Sequence, residues 1–118
     1  MSRGEDYERR AAALLAGKGL RVLARNFRAR AGEIDIIALE GETLVFVEVR
    51  ARSNPAYASA AASVDLRKQR KLLATAQNFL KRHPGWRERP CRFDVIAFEP
   101  RQSATELTPN WIRGAFTG

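Results

Sequence analysis

Two carboxylates stand in the middle of two otherwise apolar runs of the sequence. The first run, EIDIIALE at 33–40, carries Asp35, and the second run, LVFVEVR at 44–50, carries Glu48. Both faces of each run are apolar apart from the charges, which is typical of central strands covered on both sides. Burying an unpaired carboxylate in such a strand is costly, so both groups need partners.

The turn between the two runs predicts how these carboxylates meet. Gly41-Glu42 fits a two-residue hairpin loop of type II′ with glycine first, a register in which the numbers of facing residues sum to 83. Asp35 then faces Glu48. Two like charges directly opposite each other are destabilising, so the pair predicts a cation held between the carboxylates.

The same register places Glu33 opposite Arg50, where the two would form a neighbouring ion pair unless Arg50 binds a phosphate. Two alternatives stay open from the pattern alone. A three-residue loop would put Asp35 and Glu48 on opposite faces and remove the site. An exposed hairpin would make both charges ordinary solubility residues.

The elements around the hairpin predict one α/β domain. Helical spacing of apolar residues, acids in a first turn and glycines after the last turn predict the helices, and alternation predicts the strands. The predicted elements are a helix at about 5–18, a strand at 20–28, the two hairpin strands, a helix at about 65–82, a strand at 91–99 and an optional short helix from Thr108. A loop of small residues at 53–64 precedes the second helix.

The second predicted helix has an apolar face and a basic one. We expect the basic side chains to lie largely off the face that packs on the sheet. The apolar face comprises Leu66, Leu73, Ala76 and Leu80, flanked by Leu72 and Phe79.

The chain is strongly basic, with 21 Lys and Arg against 13 Asp and Glu, a net charge of +8 and a pI near 10.8. Such a field attracts polyanions, and nucleic acid is the first candidate. The charges are also segregated, since ten bases and two acids lie between 52 and 92, whereas five acids and no base lie at 33–48. A basic surface beside an acidic pocket suits a metal-dependent nuclease, although a solvated surface explains charge runs equally well.

Length and composition are those of a single domain spanning residues 1–118. A chain of this length with 45% hydrophobic residues suits one core, and its apolar stretches fall short of the roughly 20 residues of a membrane span. The first residues, MSRGEDYERR, are charged where a signal peptide is apolar, and one cysteine cannot form an internal disulfide. We therefore expect a cytoplasmic protein without membrane contact.

Several segments together resemble a known family. They are GEDYERRAAALLAGKGL, GEIDIIA, VFVEVRAR, SV followed by KQRKLL, RFDVIAF and WIRGAF. They are similar to the YraN family of predicted bacterial endonucleases, distantly similar to archaeal Holliday-junction resolvases. The resemblance implies a restriction-endonuclease-like α/β fold, α-β-β-β-α-β, with a mixed central sheet flanked by helices.

The resemblance also implies roles for single residues. Asp35 corresponds to the central metal ligand, Glu48 to the first position of a Glu-x-Lys motif, and Glu8 to the acidic residue of the first helix. Arg50 departs from the lysine of that motif, and arginine is a poor base because it stays protonated. It can still stabilise charge on a phosphate, and a metal-bound water is already acidified.

The interpretation that follows is a phosphodiesterase acting on DNA, with Mg²⁺ or Mn²⁺ bound by Asp35, Glu48 and Glu8 and with Arg50 at the phosphate. Branched or repair intermediates are the expected substrates. The alternatives are a binding module that has lost cleavage, or a protein-interaction subunit, and a homodimer stays open. The residues predicted to bind nucleic acid are Arg52, Arg67, Lys68, Gln69, Arg70 and Lys71.

Overall fold

The computed structural model describes residues 3–51, 64–100 and 107–116. Arg52 and almost all of the predicted small-residue loop, 53–63, lie outside these described residues. The elements are α1 (Arg3–Gly17), β1 (Arg21–Ala29), β2 (Gly32–Glu40), β3 (Thr43–Ala51), α2 (Leu66–Arg82), a short 3₁₀ turn (Pro84–Trp86), β4 (Cys91–Pro100) and β5 (Leu107–Phe116). The predicted order α-β-β-β-α-β is confirmed, and a fifth strand follows it.

The five strands form one mixed sheet in the order β1-β2-β3-β4-β5. Neighbouring strands are antiparallel except β3 and β4, which are parallel. A parallel pair needs a crossover connection, and α2 lies in the segment that joins β3 to β4. The mixed sheet and its helices are consistent with the restriction-endonuclease-like core that the motifs imply.

The β2–β3 hairpin has the predicted register. Ile36 pairs with Val47 and Leu39 with Leu44, so the numbers of paired residues sum to 83. Gly41, the first turn residue, has a φ of 58°, as a type II′ turn requires.

One apolar core lies on each face of the sheet. On one face Ala11 and Leu15 of α1 pack against strand residues that include Val47. On the other face Leu72 and Phe79 of α2 pack against a second set of strand residues. Both faces of the central strands are therefore covered, which explains their almost continuous apolar sequence.

The predicted apolar face of α2 needs one correction. Leu66 is the first residue of the helix and is 66% exposed, since the buried residues of the helix begin only at Leu72. The buried face is centred on Leu72, Ala76 and Phe79, together with Thr75.

Gly32, the first residue of β2, lies unusually close to α2. Its φ is 155°, and a Cβ atom placed on it would come 3.2 Å from Thr75 Oγ1. The Thr75 hydroxyl itself donates a hydrogen bond of 2.7 Å to the Lys71 carbonyl one turn earlier. The absence of a side chain at position 32 lets the helix approach the sheet here.

The predicted terminal helix is wrong, because residues 107–116 form strand β5. Pairing with β4 replaces the local helical hydrogen bonds, and Gly114 has a φ of 58° that a helix does not allow. The strand is also fixed by Asp94, which is fully buried. Its carboxylate accepts hydrogen bonds from Trp111 Nε1 and from the Gly114 backbone, each 2.9 Å long.

Among the described residues, no helix is both long enough and apolar enough to cross a membrane.

Candidate functional site

Asp35 lies where the pairing of β2 with β3 stops. The last backbone pair before it is Ile36 with Val47, and beyond that pair Asp35 Oδ2 accepts a hydrogen bond from the backbone N–H of Val49 at 2.8 Å. Asp35 is also an acidic neighbour of Glu48, close enough for its charge to help raise the pKa of the Glu48 carboxyl. The two acids therefore lie together on adjacent antiparallel strands, as the hairpin register predicts.

The strand changes its alternation at Asp35. Ile34 and Ile37 both pack in the core on the α2 side of the sheet, whereas Ile36 packs on the α1 side. Regular alternation would place Ile34 with Ile36. Asp35 lies at this irregularity, with Glu8 of α1 and Glu33 near it and with Glu48 of β3 as a further acidic neighbour.

Glu8 and Glu33 join Asp35 in a cluster of acids. One carboxylate oxygen from each of the three lies within 4.8 Å of the others. With its amide nitrogen facing the cluster, Asn26 Nδ2 lies 3.0 Å from Glu8 Oε1 and 3.2 Å from Glu33 Oε1. The backbone of Asn26 has a φ of 53°, a conformation that asparagine tolerates better than most residues.

The predicted ion pair between Glu33 and Arg50 is wrong. Glu33 Oε2 lies 3.4 Å from Arg28 Nε, its neighbour on β1. The reason is that the β2–β3 register stops before Glu33, since the Val49 N–H is taken by the Asp35 side chain. The first residues of β2 therefore pair with β1.

Glu48 is the most enclosed acid of the site, with 3% of its surface exposed. Two cations reach its Oε2 atom: Lys68 Nζ on α2 at 3.2 Å and Arg50 Nε on its own strand at 3.4 Å. Arg50 Nε is nevertheless buried and donates no well-directed hydrogen bond to any described residue. An unsatisfied buried donor beside a carboxylate is costly and is often found at a site completed by a ligand.

Buried Glu48 and half-buried Glu8 both have raised pKa values. Burial raises the pKa of Glu48 from 4.5 to about 8, helped by the hydrogen bond and charge of Asp35 and opposed by Lys68 and Arg50. Burial also raises the pKa of Glu8 to about 7, again with contributions from Asp35. Carboxylates that repel one another in this way bind either protons or a cation.

The predicted nucleic-acid-binding residues on α2 separate into two groups. Arg67, Arg70 and Lys71 are exposed on the helix surface. Lys68 reaches Glu48 instead, and Gln69 Nε2 donates to the Val64 carbonyl at 3.1 Å, which ties the start of the helix to the preceding residues.

Sequence reasoning missed two members of the site. The hairpin register, if it continued past Asp35, would place Glu33 opposite Arg50 of β3, whereas Glu33 contacts Arg28 of β1. Asn26 interrupts an arginine-rich strand and carries a residue type enriched at positive φ, which is the signal that could have identified it.

This geometry occurs in a chain with many relatives. The profile of the uncharacterised protein family UPF0102 matches residues 7–98. A UPF0102 protein of Alcanivorax borkumensis is 53% identical over 113 residues, covering 96% of this chain and 90% of the relative. UPF0102 proteins of Stutzerimonas stutzeri and Halorhodospira halophila are 49% and 50% identical, covering 98% and 97% of this chain and 94% and 86% of the relatives.

The chain belongs to the UPF0102 family, which is the YraN family that its motifs indicate. The matched residues include Glu8, Asp35, Glu48 and Lys68.

Proposed function

We propose that this protein is a metal-dependent endonuclease that hydrolyses phosphodiester bonds of DNA, with branched or repair intermediates as its substrate class. One observation carries the proposal: the buried carboxylate of Glu48 has the acid Asp35 as a neighbour and lies 3.2 Å from Lys68 Nζ and 3.4 Å from Arg50 Nε. Acids that hold a cation, next to bases that hold a phosphate, are the parts that phosphoryl transfer requires.

The acids fit a hard divalent cation such as Mg²⁺ or Mn²⁺. The donor set consists of carboxylate oxygens, which these ions prefer, and no cysteine or histidine is near it in the described ranges. Asp35 would be the central ligand, with Glu8 and Glu33 within 4.8 Å of it, and Glu48 would add a ligand from β3. When bound, the ion would neutralise the acids and lower the pKa of a coordinated water.

Arg50 and Lys68 would together take the role of the lysine of the Glu-x-Lys motif. Arg50 stays protonated and stabilises negative charge that develops on the phosphate. Lys68 brings an ammonium group to the same carboxylate from α2, where it can orient the attacking water or donate a proton to the leaving oxygen.

The exposed bases of α2 are suited to hold the DNA backbone. Arg67, Arg70 and Lys71 lie on the helix that also carries Lys68. Bonds from such bases to phosphates supply affinity for any sequence and position the strand over the acids.

A binding module without cleavage is the second candidate. Arg50 favours it, because this residue occupies the motif position of the catalytic lysine. In this interpretation the acids would bind protons instead of a metal ion, and Glu48 would keep its ion pair with Lys68. The basic residues alone would bind DNA.

Cleavage assays with Mg²⁺ or Mn²⁺ on duplex, single-stranded and four-way-junction DNA separate the two candidates. An endonuclease cuts at least one of these substrates, and Asp35→Asn abolishes cutting while DNA affinity is retained. Binding without cutting under any of these conditions would place the binding module first.

A further inference from the structure

A second candidate site, whose lining contains none of these acids, lies between β1 and the end of α2. It is a cleft of about 380 Å³, a volume in the range of small-ligand sites. Its lining is mainly aromatic and includes no acidic residue. The lining residues are Leu23, Ala24, Phe27, Phe79, His83 and Trp86.

The rings of the cleft are held in place before any ligand binds. Phe27 packs edge-on against Phe79, with ring centroids 5.3 Å apart. The His83 ring stacks on Phe79 at 4.2 Å, and its Nδ1 lies 3.0 Å from the Phe79 carbonyl oxygen. Phe27 and Trp86 are only half-buried. A flat apolar ligand could therefore stack here without a large ordering cost.

The rim of this aromatic cleft is basic. The Arg82 guanidinium lies 5.3 Å from the Phe27 ring centroid, and the Arg89 guanidinium lies 4.8 Å from that of Trp86. Arg89 is paired with Glu42, but no carboxylate in the described part of the chain pairs with Arg82. Exposed Lys81 adjoins Arg82 along the helix. Charge complementarity thus favours a ligand that combines a flat ring with a negative charge.

Helix α2 connects the aromatic cleft to the acids. Lys68 near its start contacts Glu48, and Phe79 near its end lines the cleft. At 1.5 Å per residue, the eleven steps between positions 68 and 79 span about 16 Å. At 3.4 Å or more per nucleotide, at most about five nucleotides of a strand fill that distance.

We propose that the aromatic cleft binds one unpaired nucleobase of a DNA strand whose backbone follows α2 toward the acids. Stacking on aromatic rings beside cations is the general way proteins hold unpaired bases. The inference rests on the proposed function and deepens it, since it makes a strand with an unpaired base, rather than a plain duplex, the preferred substrate.

The fluorescence of Trp86 reports on the cleft directly. The chain has two tryptophans, so any quenching that the parent shows and Trp86→Phe lacks is that of Trp86, while Trp111 keeps its hydrogen bond to Asp94. The parent and this variant are titrated in chelator with a single strand, with an abasic strand of equal length and charge, and with a duplex. The single strand should quench Trp86 emission and bind about five- to a hundred-fold more tightly than the abasic strand.

Two variants test the cleft independently of fluorescence. Trp86→Leu and Phe27→Leu should each reduce the preference for the single strand over the abasic strand toward one. Leu66→Ala is the matched control, because it removes an exposed apolar side chain elsewhere and should leave the preference unchanged. With Mn²⁺, a duplex carrying one unpaired base should be cut within about five nucleotides of that base.

The possible failures are distinguishable. If the abasic strand and the duplex bind as tightly as the single strand and Trp86 emission does not change, the cleft inference is wrong although DNA binding stands. If no nucleic acid binds, the proposed function fails as well. If Trp86→Leu instead abolishes a self-association seen by sedimentation in the parent, the cleft is a protein interface and the inference is overturned.

Discussion

The carboxylate of Asp35 replaces a main-chain acceptor, because its Oδ2 atom takes the backbone N–H of Val49 at 2.8 Å where the β2–β3 ladder ends. Asp35 thus accepts a hydrogen bond that holds the two strands together, and it also belongs to the acid cluster with Glu8 and Glu33. These two roles can be separated by substitution, since asparagine keeps an oxygen for Val49 but loses the negative charge.

We expect Asp35→Asn to melt in chelator at a temperature at least as high as the parent, because one charge of the repelling cluster is gone. We also expect it to lose most of the rise in melting temperature that Mn²⁺ gives the parent, since a ligand is missing. Thermal unfolding with and without Mn²⁺ measures both effects.

Asp35→Ala is the matched control, because it removes the acceptor of the Val49 N–H together with the charge. Leaving that donor unpaired costs on the order of 1–3 kcal/mol, so the alanine variant should be less stable than the asparagine variant. A parent that Mn²⁺ does not stabilise, with an asparagine variant that is clearly destabilised, would make Asp35 a structural residue and favour the binding module.

The pH dependence of stability should carry the signature of the raised pKa values. A carboxyl whose folded pKa lies above its ordinary value stabilises the fold fully below that ordinary value, and the contribution is lost as pH rises through the folded value. For Glu48 this window runs from 4.5 to about 8, and for Glu8 it ends at about 7.

In chelator, the free energy of unfolding of the parent should therefore fall between pH 5 and 8.5 relative to that of Glu48→Gln. The slope is limited to about 1.4 kcal/mol per pH unit for each proton. Urea titrations at several pH values compare the two proteins. Saturating Mn²⁺ should reduce the decline, because a bound cation replaces the protons, and equal slopes for parent and variant would show that Glu48 does not titrate in this range.

Much of this site follows from local sequence rules. Gly41 fixes the hairpin register as far as the pair of Ile36 with Val47, and this brings Asp35 next to Glu48 at the point where the ladder ends. The helices and the first four strands can be predicted from the spacing of apolar residues, since each element is long enough to show a helical or an alternating pattern.

What the sequence does not show is decided by tertiary contacts. The strand β5 forms because β4 and the buried Asp94 accept its hydrogen bonds, although its Thr-Pro start fits a helix equally well. The place of Glu33 depends on the break of the ladder at Asp35. Which residues of α2 are buried depends on where the helix packs on the sheet, and Leu66 in its first turn is exposed. Each outcome rests on residues far apart in the chain.

Removing the charge of Lys68 should affect chemistry more than binding. In Lys68→Met, the Glu48 carboxylate loses its 3.2 Å partner and the site loses a group that can orient water, so we expect cleavage to fall at least about 100-fold. DNA affinity should change no more than in the control Lys81→Met, which removes one charge from the last turn of the same helix. Single-turnover rates and binding titrations together measure the two effects, and equal cleavage by both variants would remove Lys68 from the mechanism.

The exposed bases of α2 should act through phosphates alone. Replacing Arg67 and Arg70 by glutamine should weaken binding to all sequences about equally. The slope of log affinity against log salt should fall by roughly one unit for each phosphate that an arginine no longer neutralises. Titrations at several salt concentrations on two unrelated sequences give both quantities. An unchanged slope would assign these arginines to a surface that does not touch DNA.

Gly32 shows how a residue without a functional group governs the site. It sets the clearance between β2 and α2, and a methyl group there would press on the Thr75 hydroxyl, which is hydrogen-bonded to the turn just after Lys68. Displacing that turn would change the distance between Lys68 Nζ and Glu48 Oε2, although neither residue is altered. In a survey of random variants, substitutions at position 32 would therefore reduce activity, although glycine has no side chain that could take part in the chemistry.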